Sequence, residues 1–142
     1  MFGCLNYGHA GACPPQTPSV DECERFFREY SRAAVFHFEK KLDRPEDRHA
    51  WSRKLYLDLL KLEREVFLSG CQKAFLVSHD SCNICLECVG SRTTCKDPLR
   101  ARPCADAMAV DVYATVRKLG YPIEVLSDYD QAMNRYAFLL ID

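Results

Sequence analysis

The stretch KAFLVSHDSCNICLECVGSRTTC, residues 73–95, joins an apolar run to a cluster of four cysteines. KAFLVSH (73–79) has the length and continuity of a strand covered on both faces. Upstream, Trp51, Leu55, Leu59, Leu62 and Val66 recur at helical spacing, widened by Leu57, Leu60 and Phe67. That stripe predicts a long helix from Pro45 to about Ser69, with Pro45 in its first turn and Gly70 as its stop. Before it, AAVFHFE (33–39) is a second short apolar run. Strand, long helix, strand is the pattern of a right-handed parallel βαβ crossover.

The rest of the chain extends the pattern. Ser19-Val20-Asp21-Glu22 is a capping box that opens a helix to about Ser31, with Val20, Cys23, Phe27 and Tyr30 on one face. A further helix is expected from Ala105 to Leu119, carrying Met108, Val112, Val116 and Leu119 on one side, with Gly120 and Pro122 as stop signals. IEVL (123–126) and YAFLLI (136–141) read as two closing strands. The expected fold class is α/β: one sandwich over residues 1–142, four strands, order αβαβαββ, a parallel βαβ core, and a cysteine-rich loop after the second strand. Residues 1–18 and 80–103 are its two cysteine-bearing loops.

Composition narrows the function. The 142 residues are 48% hydrophobic and 11% aromatic, enough for an ordinary core. A net charge of −1 argues against bulk nucleic-acid or anionic-membrane binding, and no apolar run approaches the ~18 residues of a membrane span. The start, MFGCLNYGHAGACPP, lacks a charged segment followed by an apolar one, so no signal peptide is expected. The cytoplasm follows as the expected compartment, where thiols stay reduced. Nine cysteines in such a chain need another explanation than disulfides. The count is odd, and thiols two residues apart are poor partners for one another.

Cys82, Cys85, Cys88 and Cys95 have the spacing C-x2-C-x2-C-x6-C. Three thiols two residues apart can curl round one iron–sulfur cluster, with a fourth ligand arriving from farther along. The spacing is kin to the bacterial ferredoxin run, with a longer last gap and Pro98 three residues past Cys95. Zinc is the competitor, although it commonly takes two C-x2-C hooks and Cys88/Cys95 is not a close one. A thioredoxin-like C-x-x-C would leave two of the four thiols without a role. Arg92, Lys96, Arg100 and Arg102 surround Cys95 and could offset an anionic centre, or simply solvate a loop. The loop also leaves the end of a strand and enters a helix whose positive end could face the site.

Cys4 and Cys13 could complete that site, form a second one, or be small residues of a tight loop; Pro14-Pro15 fix the chain's exit from Cys13. Cys23 and Cys71 read as core cysteines. Cys104 reads as a small residue before a helix and a spare ligand. His9 and His79 lack a second imidazole at ligand spacing and read as solvated or hydrogen-bonded; His37 and His49 suggest nothing more. No P-loop, dinucleotide fingerprint, nucleophile elbow or C-x3-C-x2-C triplet occurs. The only polar candidates for an enzyme site are Tyr7, His9, Asp128 and Asp130, so the balance leans away from an enzyme.

Taken together, the chain resembles a bacterial and archaeal family known as predicted metal-binding proteins (domain of unknown function 2284). The resemblance rests on Cys4-x-Asn6-Tyr7-Gly8 leading to Cys13-Pro14-Pro15, Tyr30, Lys61-Leu62-Glu63-Arg64 before Phe67-Leu68, and the cysteine loop with Pro98. Ala101-Arg102-Pro103, Asp111-Val112 and Pro122-Ile123-Glu124-Val125-Leu126 complete it. It implies metal or iron–sulfur binding through Cys82, Cys85, Cys88, Cys95, Cys4 and Cys13, and no settled activity. Relative to the family the chain looks short at its start, since a further cysteine usually stands where Met1 is. Cys104 stands where the family usually has Ser, which favours a helix-capping role.

The expected function is therefore a cytoplasmic metal-binding protein. It would hold a [4Fe–4S] cluster on Cys82, Cys85, Cys88 and Cys95 and exchange electrons with a redox partner protein. The alternatives are a zinc-stabilised interaction module and an iron–sulfur enzyme.

Overall fold

The computed structural model describes residues 4–128 and 130–142. Its strands are β1 (Arg32–Lys40), β2 (Phe75–Val77) and β3 (Met133–Ile141), in the spatial order β1-β3-β2. Its helices are α1 (Val20–Phe27), α2 (Asp47–Leu68) and α3 (Val112–Lys118), with a 3₁₀ turn at Asp106–Met108. The class is mixed α/β, as the sequence predicts. Among the described residues, the expected parallel core and fourth strand are not found. β3 lies between β1 and β2 and is antiparallel to both: Arg32 opposes Ile141, Lys40 opposes Met133, and Leu76 opposes Leu139. β1 and β2 thus run in the same direction without being neighbours. A continuous apolar run reports that both faces of a strand are covered; it does not report which strand lies beside it.

Both faces are indeed covered. Along β3, Tyr136, Phe138 and Leu140 point into one core with Cys23, Val77, Met108, Val116 and Ile123. Ala137 and Leu139 point to the other side, against Leu76 and the α2 residues Tyr56, Leu59 and Leu60. This is the two-residue alternation of a strand. Each large apolar side chain taken from water this way contributes about 1.5–3 kcal/mol. α1, the 3₁₀ turn and α3 supply one cover and α2 the other.

Local signals explain the boundaries. The Ser19 capping box forms: Ser19 Oγ accepts from Glu22 N, and Glu22 Oε2 accepts from Ser19 N at 2.8 Å. α1 ends at Phe27, short of Ser31. Pro45 lies just before α2, not inside it. The helix expected over Ala105–Leu119 is broken. Ala109 adopts a left-handed conformation (φ 59°), and Asp111 restarts the helix by accepting from Ala114 N at 2.9 Å. Ile123–Leu126 is irregular, not a strand: only Ile123 is buried, and Val125 is 77% exposed. Cys23 is in the core as expected, whereas Cys71 is a half-buried residue of the turn before β2. No helix among the described residues is long and apolar enough to cross a membrane.

The deepest face of α2 is Ser52, Tyr56, Leu59, Leu60 and Glu63. Three of these five are polar. Buried polar groups need partners, and these three find theirs in the cysteine loop or at its threshold.

Candidate metal centre

The cysteine loop begins and ends at one point. Ser78 N donates to Pro103 O at 2.9 Å, and Ala105 N donates to Ser78 O at 3.3 Å, which makes a parallel bridge between Ser78 and Cys104. α2 then holds both arms. Arg53 donates to Asn83 O at 3.2 Å and to Ile84 O at 3.0 Å on the outgoing arm. On the returning arm, Tyr56 Oη accepts from Arg102 N at 2.6 Å. Glu63 Oε1 accepts from Arg102 Nε at 2.7 Å and from Leu76 N, also at 2.7 Å. One buried carboxylate thereby ties the loop, β2 and α2 together.

Within that frame, Cys82, Cys85, Cys88 and Cys95 line a single cavity of about 20 Å³, with Gly11, Ala12 and Ile84 on its other walls. Cys82, Cys85 and Cys95 are half-buried and Cys88 is exposed. The N-terminal loop closes over the site. Gly11 N donates to Cys88 Sγ at 3.4 Å. Arg92 N donates to Gln16 Oε1 at 3.1 Å, and Asn6 Nδ2 donates to Ser81 Oγ at 2.9 Å. The approach is close enough that a Cβ on Gly11 would stand 2.9 Å from Ser91 O, so this position requires glycine.

The donors suit a metal: four thiols facing one small space are a soft set of the kind iron–sulfur clusters and zinc take. The space is about that of one water-sized atom. Among the described residues, no three His, Cys, Asp or Glu side chains meet as a ready coordination site, so the thiols surround the cavity without closing on its centre.

The surrounding charge is less free than the sequence suggests. Arg100 pairs with Asp97, holding that carboxyl below its usual range, and Arg102 pairs with Glu63. Arg92 donates to Ala101 O. The helix expected to turn its positive end to the site after Cys104 is only a 3₁₀ turn there.

Cys4 and Cys13 lie elsewhere. They line a larger cavity of about 540 Å³ together with Cys104, Tyr7, His79 and Arg135. Cys13 is 4% exposed. Burial pushes its thiol up to about 12, helped by negative charge on Cys104, Cys4, Cys82 and Cys88, so it is within electrostatic reach of both cysteine groups. Burial likewise pushes Cys104 up to about 11. Metal coordination would reverse both shifts, since a bound thiol is deprotonated outright.

His9 and His49 are exposed, and His37 hydrogen-bonds Asn134 Oδ1 at 2.6 Å. Asp128 and Asp130 line neither cysteine cavity. The upstream cysteine position at Met1 lies outside the described residues. Sequence reasoning leaves Cys104 as a small residue before a helix and a spare ligand, and His79 as solvated or hydrogen-bonded; the Ser78–Cys104 bridge brings both to the Cys4/Cys13 cavity. The signal that could have found them was the polar run Ser78-His79-Asp80 at the end of an apolar strand.

Comparison with curated proteins and with solved structures gives no match. Comparison with protein families matches residues 1–141 to the one described as predicted metal-binding protein (DUF2284). With nearly the whole sequence matched and four thiols gathered round one cavity, the chain belongs to this family of predicted metal-binding proteins.

Proposed function

We propose that this metal-binding protein carries a [4Fe–4S] cluster on Cys82, Cys85, Cys88 and Cys95 and exchanges electrons with a partner protein in the cytoplasm. The observation that carries the reading is the single cavity lined by these four thiols at ligand spacing, with a backbone N–H already directed at one sulfur. Such a cluster supplies one-electron transfer when bound. The chain's own residues do the rest. Gly11 N–H and the half-burial of three thiols are the kinds of hydrogen bond and solvent exclusion that set a reduction potential. Cys88 is at the surface, and the same loop exposes Leu86 (97%), Val89 (44%) and Leu99 (84%). Apolar side chains beside an exposed redox ligand suit a transient docking partner.

A second reading follows from size. A space of about 20 Å³ is nearer the size of one ion than of a cubane, which favours a single zinc stabilising an interaction module, with the four thiols drawing in round it.

Iron, zinc and acid-labile sulfide per chain, measured on anaerobically purified protein with its visible spectrum, separate the two. About four iron and four sulfide are expected, and Cys85→Ser is expected to abolish the visible absorbance. About one zinc with no sulfide refutes the electron-transfer reading.

A further inference from the structure

We propose that Cys4, Cys13, Cys104 and His79 form a second site, separate from the four-thiol loop, for a soft divalent cation of the zinc type. The inference does not rest on what the loop holds.

The first support is convergence from three segments. Cys4 and Cys13 come from the N-terminal loop, His79 from the end of β2, and Cys104 from the residue bridged to Ser78; all line the 540 Å³ cavity. Three thiols and one imidazole are an established zinc donor set.

The second support is the histidine itself. His79 is 7% exposed, and its Nδ1 is buried without a hydrogen-bond partner. Its tautomer follows from its neighbour. Ser52 Oγ has one proton and donates it to Asp80 Oδ2 at 2.8 Å. Toward His79 Nε2, 3.2 Å away, Ser52 Oγ can then only accept. Nε2 therefore carries the ring proton, and Nδ1 is a bare lone pair. A ring nitrogen anchored through a hydroxyl to a carboxylate, with its other nitrogen open, is the support that metal-binding histidines receive. Among the described residues, no donor uses that lone pair.

The third support is charge. Among the described residues that line the cavity, the carboxylates Asp80, Asp106 and Asp111 outnumber the one cation, Arg135, which favours a cation there over an anion. The donors surround this space without meeting, as at the loop site. Cys4 is exposed and can turn inward without repacking the core. The cavity is larger than an ion, so room remains beside the metal for water or a small ligand.

The test is a cobalt(II) titration of the demetallated full chain, read by thiolate-to-cobalt absorption and reversed by zinc(II), on the unaltered chain and on Cys104→Ser. The unaltered chain is expected to take up one more equivalent than Cys104→Ser, and His79→Gln is expected to weaken that equivalent at least about tenfold. Equal stoichiometry and equal affinity in all three overturn the site. A variant that loses its circular-dichroism signal is set aside, and the unaltered chain decides. With ¹⁵N-labelled histidine, the Nδ1 resonance of His79 is expected to move on adding zinc(II) while Nε2 stays protonated. An Nδ1 resonance unmoved at zinc saturation overturns the proposal. Iron and sulfide analysis reports on the loop separately, so either site can fail without the other.

Discussion

Replacing Glu63 by Ala should destabilise the chain well beyond an ordinary single substitution. Its carboxylate is 6% exposed and accepts from Arg102 Nε and Leu76 N, each at 2.7 Å. Removing one partner of a buried pair costs about 3–5 kcal/mol because the other charge is left behind. Arg102 keeps 18% side-chain exposure, which places the ionic part at the lower end. The orphaned Leu76 amide adds part of the ~1–3 kcal/mol of an unmet buried donor. A total of about 3–4 kcal/mol follows, against a typical domain stability of ~5–15 kcal/mol. With a urea m-value of roughly 2 kcal/mol/M, the midpoint should fall by about 1.5–2 M. Glu63→Gln keeps an acceptor and loses only the charge, so about 1–2 kcal/mol is expected. The assay is urea unfolding followed by circular dichroism with chelator present, together with hydrogen exchange at the Leu76 amide. A midpoint shift under about 0.3 M for Glu63→Ala, or a Leu76 amide still protected as in the parent, would refute the clamp. Adding Arg102→Met to Glu63→Ala should recover part of the loss, as a buried pair replaced on both sides does.

Other outcomes are set by single contacts. Gly11→Ala forces a Cβ to 2.9 Å from Ser91 O and should cost about 1–3 kcal/mol of overpacking, with faster loss of metal from the loop on chelator challenge. Gly11→Ala with unchanged melting and chelation rates would contradict that contact. Tyr56→Phe leaves Arg102 N without its 2.6 Å acceptor and should lower stability by about 1–3 kcal/mol in the same urea assay. Ser19→Ala removes half of the capping box and should cost about 0.5–2 kcal/mol, with no effect on bound metal.

The sequence announced the existence of β1, α2 and β2 because their apolar periods are long and unbroken. It could not announce that β3 separates β1 from β2, since Tyr136–Ile141 carries no mark of its neighbours. Val125 and Leu126 looked like strand and are exposed, because apolar content alone does not make a pairing edge. The four loop thiols were legible from spacing, which is local. The set formed by Cys4, Cys13, Cys104 and His79 was not, because only the bridge between Ser78 and Cys104 makes it local. Glu63 and Arg102 carried a hint as polar residues near apolar runs, but their pairing across the loop is a property of the folded chain.

The insertion of β3 has a bearing on how the chain emerges from the ribosome. β1 and β2 leave the tunnel early, yet among the described residues each finds its sheet partner in residues 133–141. Until then Phe36, Phe38 and Leu76 have no central strand to lie against, while the cysteine loop, itself anchored on β2, is already outside. Arg32 must wait for Ile141, so the decisive contacts are among the most distant in sequence, the kind that slow folding. Nascent chains of this protein should therefore pass through a stage in which the thiols are synthesised and reachable but unsheltered, and metal delivery at that stage would compete directly with oxidation.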